Sequence, residues 1–151
     1  EFRRVLFRSA GIPTGVHVML VEGGRMLFMR RANTGFFDGL LSLPGGHVEP
    51  GESIRMAAIR EMAEELAIAL RPQDLALVGV VHRLSDTNRI DFFLRATAWA
   101  GQPRRAEPDK CDALAWHAPA HLPADVVPYV AAAVRTTRAE PWIVESGWPA
   151  P

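Results

Sequence analysis

Residues 43–68 read L-P-G-G-H-V-E-P-G-E-S-I-R-M-A-A-I-R-E-M-A-E-E-L-A-I. Two glycine-bearing turns, Pro44-Gly45-Gly46 and Pro50-Gly51, stand directly before a segment of helical periodicity. Ser53 is a good N-cap, and Ile54, Ala58, Met62 and Leu66 recur every four residues. The segment is therefore expected to be a helix running to about Ile68, with one apolar stripe against a core. That helix crowds Glu61, Glu64 and Glu65 at i, i+3 and i+4, where side chains converge and like charges repel. A fold that accepts this repulsion should set positive charge against it. Clustered oxygen ligands of this kind suit a hard cation, Mg2+ or Mn2+. The competing reading is a solvated charged face on which Arg60 pairs with Glu64 one turn on. The glycines favour the first reading, because they let backbone approach a ligand or a neighbouring chain closely. A loop folding back here would bring its carbonyls and Glu52 beside the helix carboxylates.

Around this segment the chain alternates strands and helices. Val16–Val21 and Arg25–Arg31, joined by Glu22-Gly23-Gly24, read as a hairpin. Ala32–Gly39 is expected to be a loop, and Leu40–Leu43 a short strand stopped by Pro44. Leu75–Leu84 and Arg89–Trp99 read as long strands around a turn at Ser85–Asn88, and Leu114–His117 as a last short strand. Asp125–Arg138 is expected to be a second helix with Pro128 in its first turn, and the tail from Glu140 to be irregular. The order predicts an α/β fold, a mixed sheet with helices packed on it. Pattern alone leaves the topology open.

Composition excludes some classes of function. Of 17 basic residues only Lys110 is lysine; the other 16 are arginines spread through the chain, with no concentrated patch of the kind that binds nucleic acid. Apolar runs are too short to span a bilayer. The lone Cys111 can form no internal disulfide, which fits a reduced cytoplasmic thiol. Residues 1–9, E-F-R-R-V-L-F-R-S, are what GAG TTC AGA CGT GTG CTC TTC CGA TCT encodes, a string resembling a widely used sequencing adapter. They are read as an artefact ahead of a single domain at 10–151. Without their three arginines and one glutamate, 14 basic residues face 16 acidic ones, a poor balance for binding a phosphate backbone.

Gly46, five residues, Glu52, seven residues, then R-E-M-A-E-E-L-A-I at 60–68 resembles the Nudix box, G-x5-E-x7-R-E-U-x-E-E-x-G-U with U bulky and apolar. It departs only at Ala67, where the family has Gly. The box, with the spacing of elements from about Gly15 to Tyr129, identifies the chain as a member of the Nudix hydrolases, MutT-like in type. The resemblance implies a mixed β-sheet sandwiched between α-helices, and divalent-metal-dependent cleavage of a pyrophosphate bond in a nucleoside diphosphate linked to another group. By position it makes Glu64 and Glu65 metal ligands, Glu61 a ligand or general base, and the Gly45 or Gly46 carbonyl a further ligand. Arg60 would orient a helix carboxylate and Glu52 would buttress the loop. Ala67 either ends the helix in a left-handed conformation, at a cost of about 1 kcal/mol, or lets the helix run on through Ala69.

Beyond the box, the resemblance marks Arg31 as a substrate contact and Glu107 as a carboxylate reaching the metal site from a mobile loop. The bland alternatives are a strand-end arginine and a solvated carboxylate near Arg104 and Arg105. Phe36, Phe37 and Trp116 can stack on a base or belong to the core. MutT-like relatives carry a base-reading Asn near Val126; valine cannot hydrogen-bond a base, and the adjacent Asp125 is the candidate substitute. His17, His82, His117 and His121 show no metal-site spacing, and Cys111 reads as a small buried side chain. The expected substrate is a nucleoside triphosphate cleaved to monophosphate and pyrophosphate, by a monomer or homodimer. ADP-ribose or another nucleoside diphosphate conjugate is the alternative, and a non-catalytic nucleotide sensor a second. The sensor reading is the weaker, because every box carboxylate is present.

Overall fold

The computed structural model describes residues 11–136 and 138–151; residues 1–9 lie outside them. Strand β1 (Thr14–Glu22) is the spine of the molecule. It is followed by β2 (Arg25–Arg31), β3 (Leu41–Ser42), β4 (Gly45–His47), helix α1 (Ile54–Leu66), β5 (Ala76–Leu84), β6 (Asn88–Ala96), β7 (Cys111–His117), helix α2 (Pro128–Thr136) and β8 (Trp142–Ser146). The main sheet path runs β3-β2-β1-β6-β5-β8, with β4 also pairing β1 and β7 also pairing β2. The β1–β6 and β5–β8 pairs are parallel and the others antiparallel, so the sheet is mixed.

β1 is buried from Gly15 to Leu20, because both of its faces are covered. Val16, Val18 and Leu20 pack with Ala58, Met62 and Leu66 of α1. Met19 faces the other way, into a second cluster with Val130, Ala131 and Val134 of α2. The alternation of a strand thus divides one apolar run between two cores. The result is a mixed sheet between two helices, the α/β Nudix architecture. Among the described residues no helix is long and apolar enough to cross a membrane.

The first hairpin turns on Gly23 and Gly24, both at positive φ, as a two-residue turn between twisted strands requires. Ser53 caps α1, its hydroxyl accepting from the Met56 amide at 3.2 Å. The helix stops at Leu66 rather than Ile68, with Ala67 in the left-handed region at φ 56° and ψ 35°. The first of the two readings of Ala67 therefore holds.

Three expectations are corrected. Gly45–His47, expected as loop, pairs antiparallel with Gly15–His17. Its glycines carry no β-propensity; β1 supplies the template. The tail is not irregular, since Trp142–Ser146 adds to the edge of β5. Trp142 is buried over Gly79, where a Cβ would collide with the indole, so a partner distant in sequence makes this strand. Helix α2 starts at Pro128, not Asp125. Asp125 lies in a turn and Val126 bridges to Leu41 instead, with Leu41 N–H donating to the Asp125 carbonyl and Val127 N–H to the Leu41 carbonyl, each at 2.8 Å.

Candidate active site

Gly45 and Gly46 sit where no side chain fits. A Cβ on Gly45 would strike the Val16 carbonyl, and one on Gly46 the Glu61 carboxylate. The loop therefore lies flat between β1 and α1, and the Gly45 amide donates to Glu65 Oε1 at 3.0 Å. Arg60 secures it from the helix side. Its Nε and Nη2 grip Glu52 at 2.8 and 3.0 Å, and Nη2 also donates to the His47 carbonyl at 2.9 Å. Glu52 in turn accepts from the Glu49 amide at 3.0 Å. The Arg60 fork, with that amide, pushes the Glu52 pKa down to about 2. The guanidinium itself is held above its ordinary range, first by Glu52, with Glu61 adding to the effect.

The three helix glutamates separate according to their partners. Glu61 accepts from Arg60 Nη1 at 2.9 Å and shares a hydrogen bond with Glu65. Burial raises the Glu65 pKa well above the usual carboxylate range, and the neighbouring Glu61 and Glu107 charges raise it further. Glu64 turns outward, half exposed, to meet Arg60 Nη1 at 3.3 Å. That i,i+4 pair is the one the bland reading expected, but it involves one glutamate of the three.

Glu61, Glu65, Gly45 and Gly46 line a cleft of about 670 Å³. Glu107 lines it too, from the loop between β6 and β7. That loop is docked on the end of α1, where Arg104 N–H donates to the Leu66 carbonyl and Ala106 N–H to the Glu65 carbonyl, at 3.1 and 3.0 Å. These bonds satisfy carbonyls that a helix terminus otherwise leaves free. Glu107 pairs with Lys110 at 3.6 Å rather than with Arg104 or Arg105. Arg31 lines the cleft and also braces the 32–39 loop, donating to the Phe36 carbonyl at 2.6 Å and to Thr34 Oγ1 at 3.1 Å. Phe36 reaches the cleft; Phe37 and Asp125 are not among its lining residues. Phe37 instead packs edge-on against Phe36, Asp125 is exposed, and Val126 is in the core. Trp116 packs partly buried against the α1 core, and Cys111 is buried in it, its thiol pKa raised by burial.

Among the described residues no three His, Cys, Asp or Glu side chains form a closed ligand cage. What converges is a pair of carboxylates, with a third on the facing loop and glycine backbone alongside. All are oxygen donors, and the pair is joined by the hydrogen bond between Glu61 and Glu65. This donor set fits a hard divalent cation.

Sequence reasoning passed over another part of the cleft lining. His17, Arg83, Arg89 and Tyr129 contribute to it, around the buried Asp91. The signal was present as charged residues inside apolar strands, V-V-H-R-L and R-I-D-F-F-L. Only the β1–β6 pairing brings His17 to Asp91.

A mixed sheet between two helices, with paired glutamates of one helix set against a Gly-Gly strand, defines a hydrolase architecture shared by many known proteins. Residues 12–140 match the NUDIX domain, and the chain belongs to that family of hydrolases. It is 28% identical over 93 residues to the 8-oxo-dGTP diphosphatase of Escherichia coli, covering 61% of this chain and 70% of that protein. A Bacillus subtilis protein provisionally named 8-oxo-dGTP diphosphatase is 31% identical over 111 residues, covering 74% and 69%. The crystal structure of a MutT NUDIX hydrolase from Burkholderia pseudomallei superposes with a TM-score of 0.77 at 30% identity, over 85% of this chain and all of that one.

Proposed function

We propose that this chain hydrolyses a nucleoside triphosphate, ribo or deoxy, to the monophosphate and pyrophosphate, with Mg2+ as its cation and Mn2+ as a substitute. The observation that carries this reading is the Glu61–Glu65 pair, partly buried against Gly45 and Gly46 in a cleft that Arg31, Arg83, Arg89 and Lys110 also line. Glu61 and Glu65 would hold the cation with the Gly46 backbone, and Glu64 would join them by turning away from Arg60. Bound there, the cation supplies charge neutralisation for the phosphates and acidifies water.

The remaining roles belong to the chain's own residues. Arg60 and Glu52 keep the loop and the helix carboxylates in place. Arg31 and Lys110 face the phosphate oxygens. Water attacks phosphorus, the bridging P–O bond breaks, and the proton of the water passes to a carboxylate of the Glu61, Glu64 and Glu107 group. A cleft of this volume suits a nucleotide. Phe37 and Asp125 would contact substrate only if their loops close over it. The enzyme would act on free nucleotides in the cytoplasm, as a monomer or homodimer.

The test is pyrophosphate release over a panel of nucleoside triphosphates with added Mg2+. 8-oxo-dGTP, the substrate named for the Escherichia coli relative, and ADP-ribose belong in the panel. Release from triphosphates that stops in EDTA is expected. Nucleotide binding without turnover would leave a sensor, and turnover of ADP-ribose alone would move the chain to the other substrate class.

A further inference from the structure

The chain beyond β8 makes a contact that the cleavage chemistry does not use. It falls on the hairpin of β5 and β6, which gives the cleft one wall through Arg83, Ser85, Asp86, Thr87 and Arg89. The base of this arginine wall is firmly set. Arg83 Nε and Arg89 Nε donate to the buried Asp91 at 3.0 and 3.2 Å, and His17 Nε2 meets the same carboxylate at 3.1 Å. Gly15 stands opposite Asp91 on β1 and leaves room for the cluster, since a Cβ there would lie 2.8 Å from Arg89 Nη2.

The tip of the hairpin has less to hold it. Ser85, Asp86 and Thr87 are exposed. Their hydrogen bonds stay within the tip: the Ser85 amide donates to the Thr87 carbonyl at 3.1 Å, and the Ser85 hydroxyl to Asp86 Oδ1 at 2.9 Å.

Support comes from behind. Arg83 pairs with Arg89 across the ladder and His82 with Ile90, so strand alternation turns the arginines toward the cleft and His82 toward the reverse of the sheet. There Trp148 covers it. The two ring centroids lie 4.5 Å apart, and Trp148 Nε1 donates to the His82 carbonyl at 3.0 Å. His82 Nε2 in turn bonds Asn88 Oδ1 at 2.7 Å, reaching the first residue of β6. One indole is thereby tied to both strands just below the tip. Gly147 allows the approach. At φ 79° it turns the chain against Leu84, the last residue of β5, where a Cβ would collide with the Leu84 carbonyl. Trp148 is 37% exposed and belongs to neither core cluster, so it fills no interior.

We infer that Trp148 is a positioning residue, which fixes the β5–β6 hairpin from its reverse side so that the cleft wall is in place before nucleotide arrives. The effect on substrate rests on the nucleotide reading above; the effect on the hairpin rests on the fold alone. A wall ordered in advance spares the substrate the cost of ordering it.

Deuterium uptake by peptides covering 82–90, and steady-state pyrophosphate release, test this on the intact chain. Trp148→Phe keeps a ring over His82 and loses the N–H. Exchange at 82–90 should quicken about fivefold, the scale of one hydrogen bond. Trp148→Ala loses the ring as well and should exceed that, and exchange in α1 should stay unchanged in both. With Mg2+ and the best-cleaved triphosphate of the panel, KM should rise at least about threefold in Trp148→Ala with kcat within about twofold, because the hairpin carries none of the Glu61, Glu64 and Glu107 group. Trp148→Phe should recover part of that KM. Melting curves check that the variants fold, and Trp148→Phe, the smaller change, carries the test where Trp148→Ala does not fold. Unchanged exchange at 82–90 would overturn the inference, as would exchange that quickens equally throughout the chain, or a fall in kcat at constant KM. Cleavage of no triphosphate would remove the nucleotide reading alone; exchange needs no substrate and still decides whether Trp148 holds the hairpin.

Discussion

Ala67→Gly should stabilise this protein. Ala67 ends α1 at φ 56° and ψ 35°, a conformation in which a Cβ crowds the following carbonyl and costs an L-residue roughly 1–2 kcal/mol. The backbone has reason to stay there. The Ala67 amide donates to the Ala63 carbonyl at 3.1 Å, and the Ile68 amide reaches the Met62 carbonyl at 3.4 Å. The turn delivers Ile68 to the core and Ala69 to its bridge with Ala100. Alanine thus cannot relax without breaking contacts beyond the helix. Glycine removes the crowding but has more freedom to lose on folding, which takes back part of the gain. A net gain of about 1 kcal/mol remains, or about 2–4 °C in Tm for a domain of this size. Urea unfolding should show a higher midpoint at unchanged slope. Ala67→Val, with a branched Cβ at the same φ, should lower Tm. A Tm that falls or stays level in Ala67→Gly would refute the strain argument.

Glu65→Gln should lower kcat by at least about a hundredfold with the circular dichroism spectrum unchanged, and its Tm should rise or hold, because a neutral amide removes charge repulsion from a buried site. Glu107→Gln should lower kcat more than it raises KM, if the loop carboxylate acts mainly in the transition state; steady-state kinetics separate the two. Glu52 contributes stability through a depressed pKa, so its contribution is present above the ordinary glutamate range and is lost as pH falls from there through about 2. The Tm difference between the unmodified chain and Glu52→Gln should therefore be constant near neutral pH and shrink steadily below pH of about 4.

Local rules made much of the acidic end legible. A Ser cap, a four-residue apolar repeat and glycines before the helix are read within a few residues of chain, because capping, periodicity and backbone freedom are local properties. They predicted α1 to within two residues at its end, the first hairpin, and a loop folded back on the helix carboxylates. The same rules could not say which way each glutamate would turn. Glu61, Glu64 and Glu65 are equivalent by spacing; Arg60 and the Gly45 amide distinguish them, and those partners meet only in the folded chain. The short strand β4 was likewise invisible, since its glycines have no propensity to form a strand without β1 beside them. β8 does carry β-forming residues, Trp142, Ile143 and Val144, but its pairing with β5 is set only in the folded chain. The arginine wall lies furthest from sequence reasoning. His17 and Asp91 stand 74 residues apart, and each reads alone as an oddity in an apolar strand. A parallel pairing brings them together, the bare backbone of Gly15 leaves room for Arg89, and burial makes one carboxylate bind three cationic or polar groups. Spacing along the chain carries none of that, because the pairing offsets the cost of desolvating charges that no short segment can enclose.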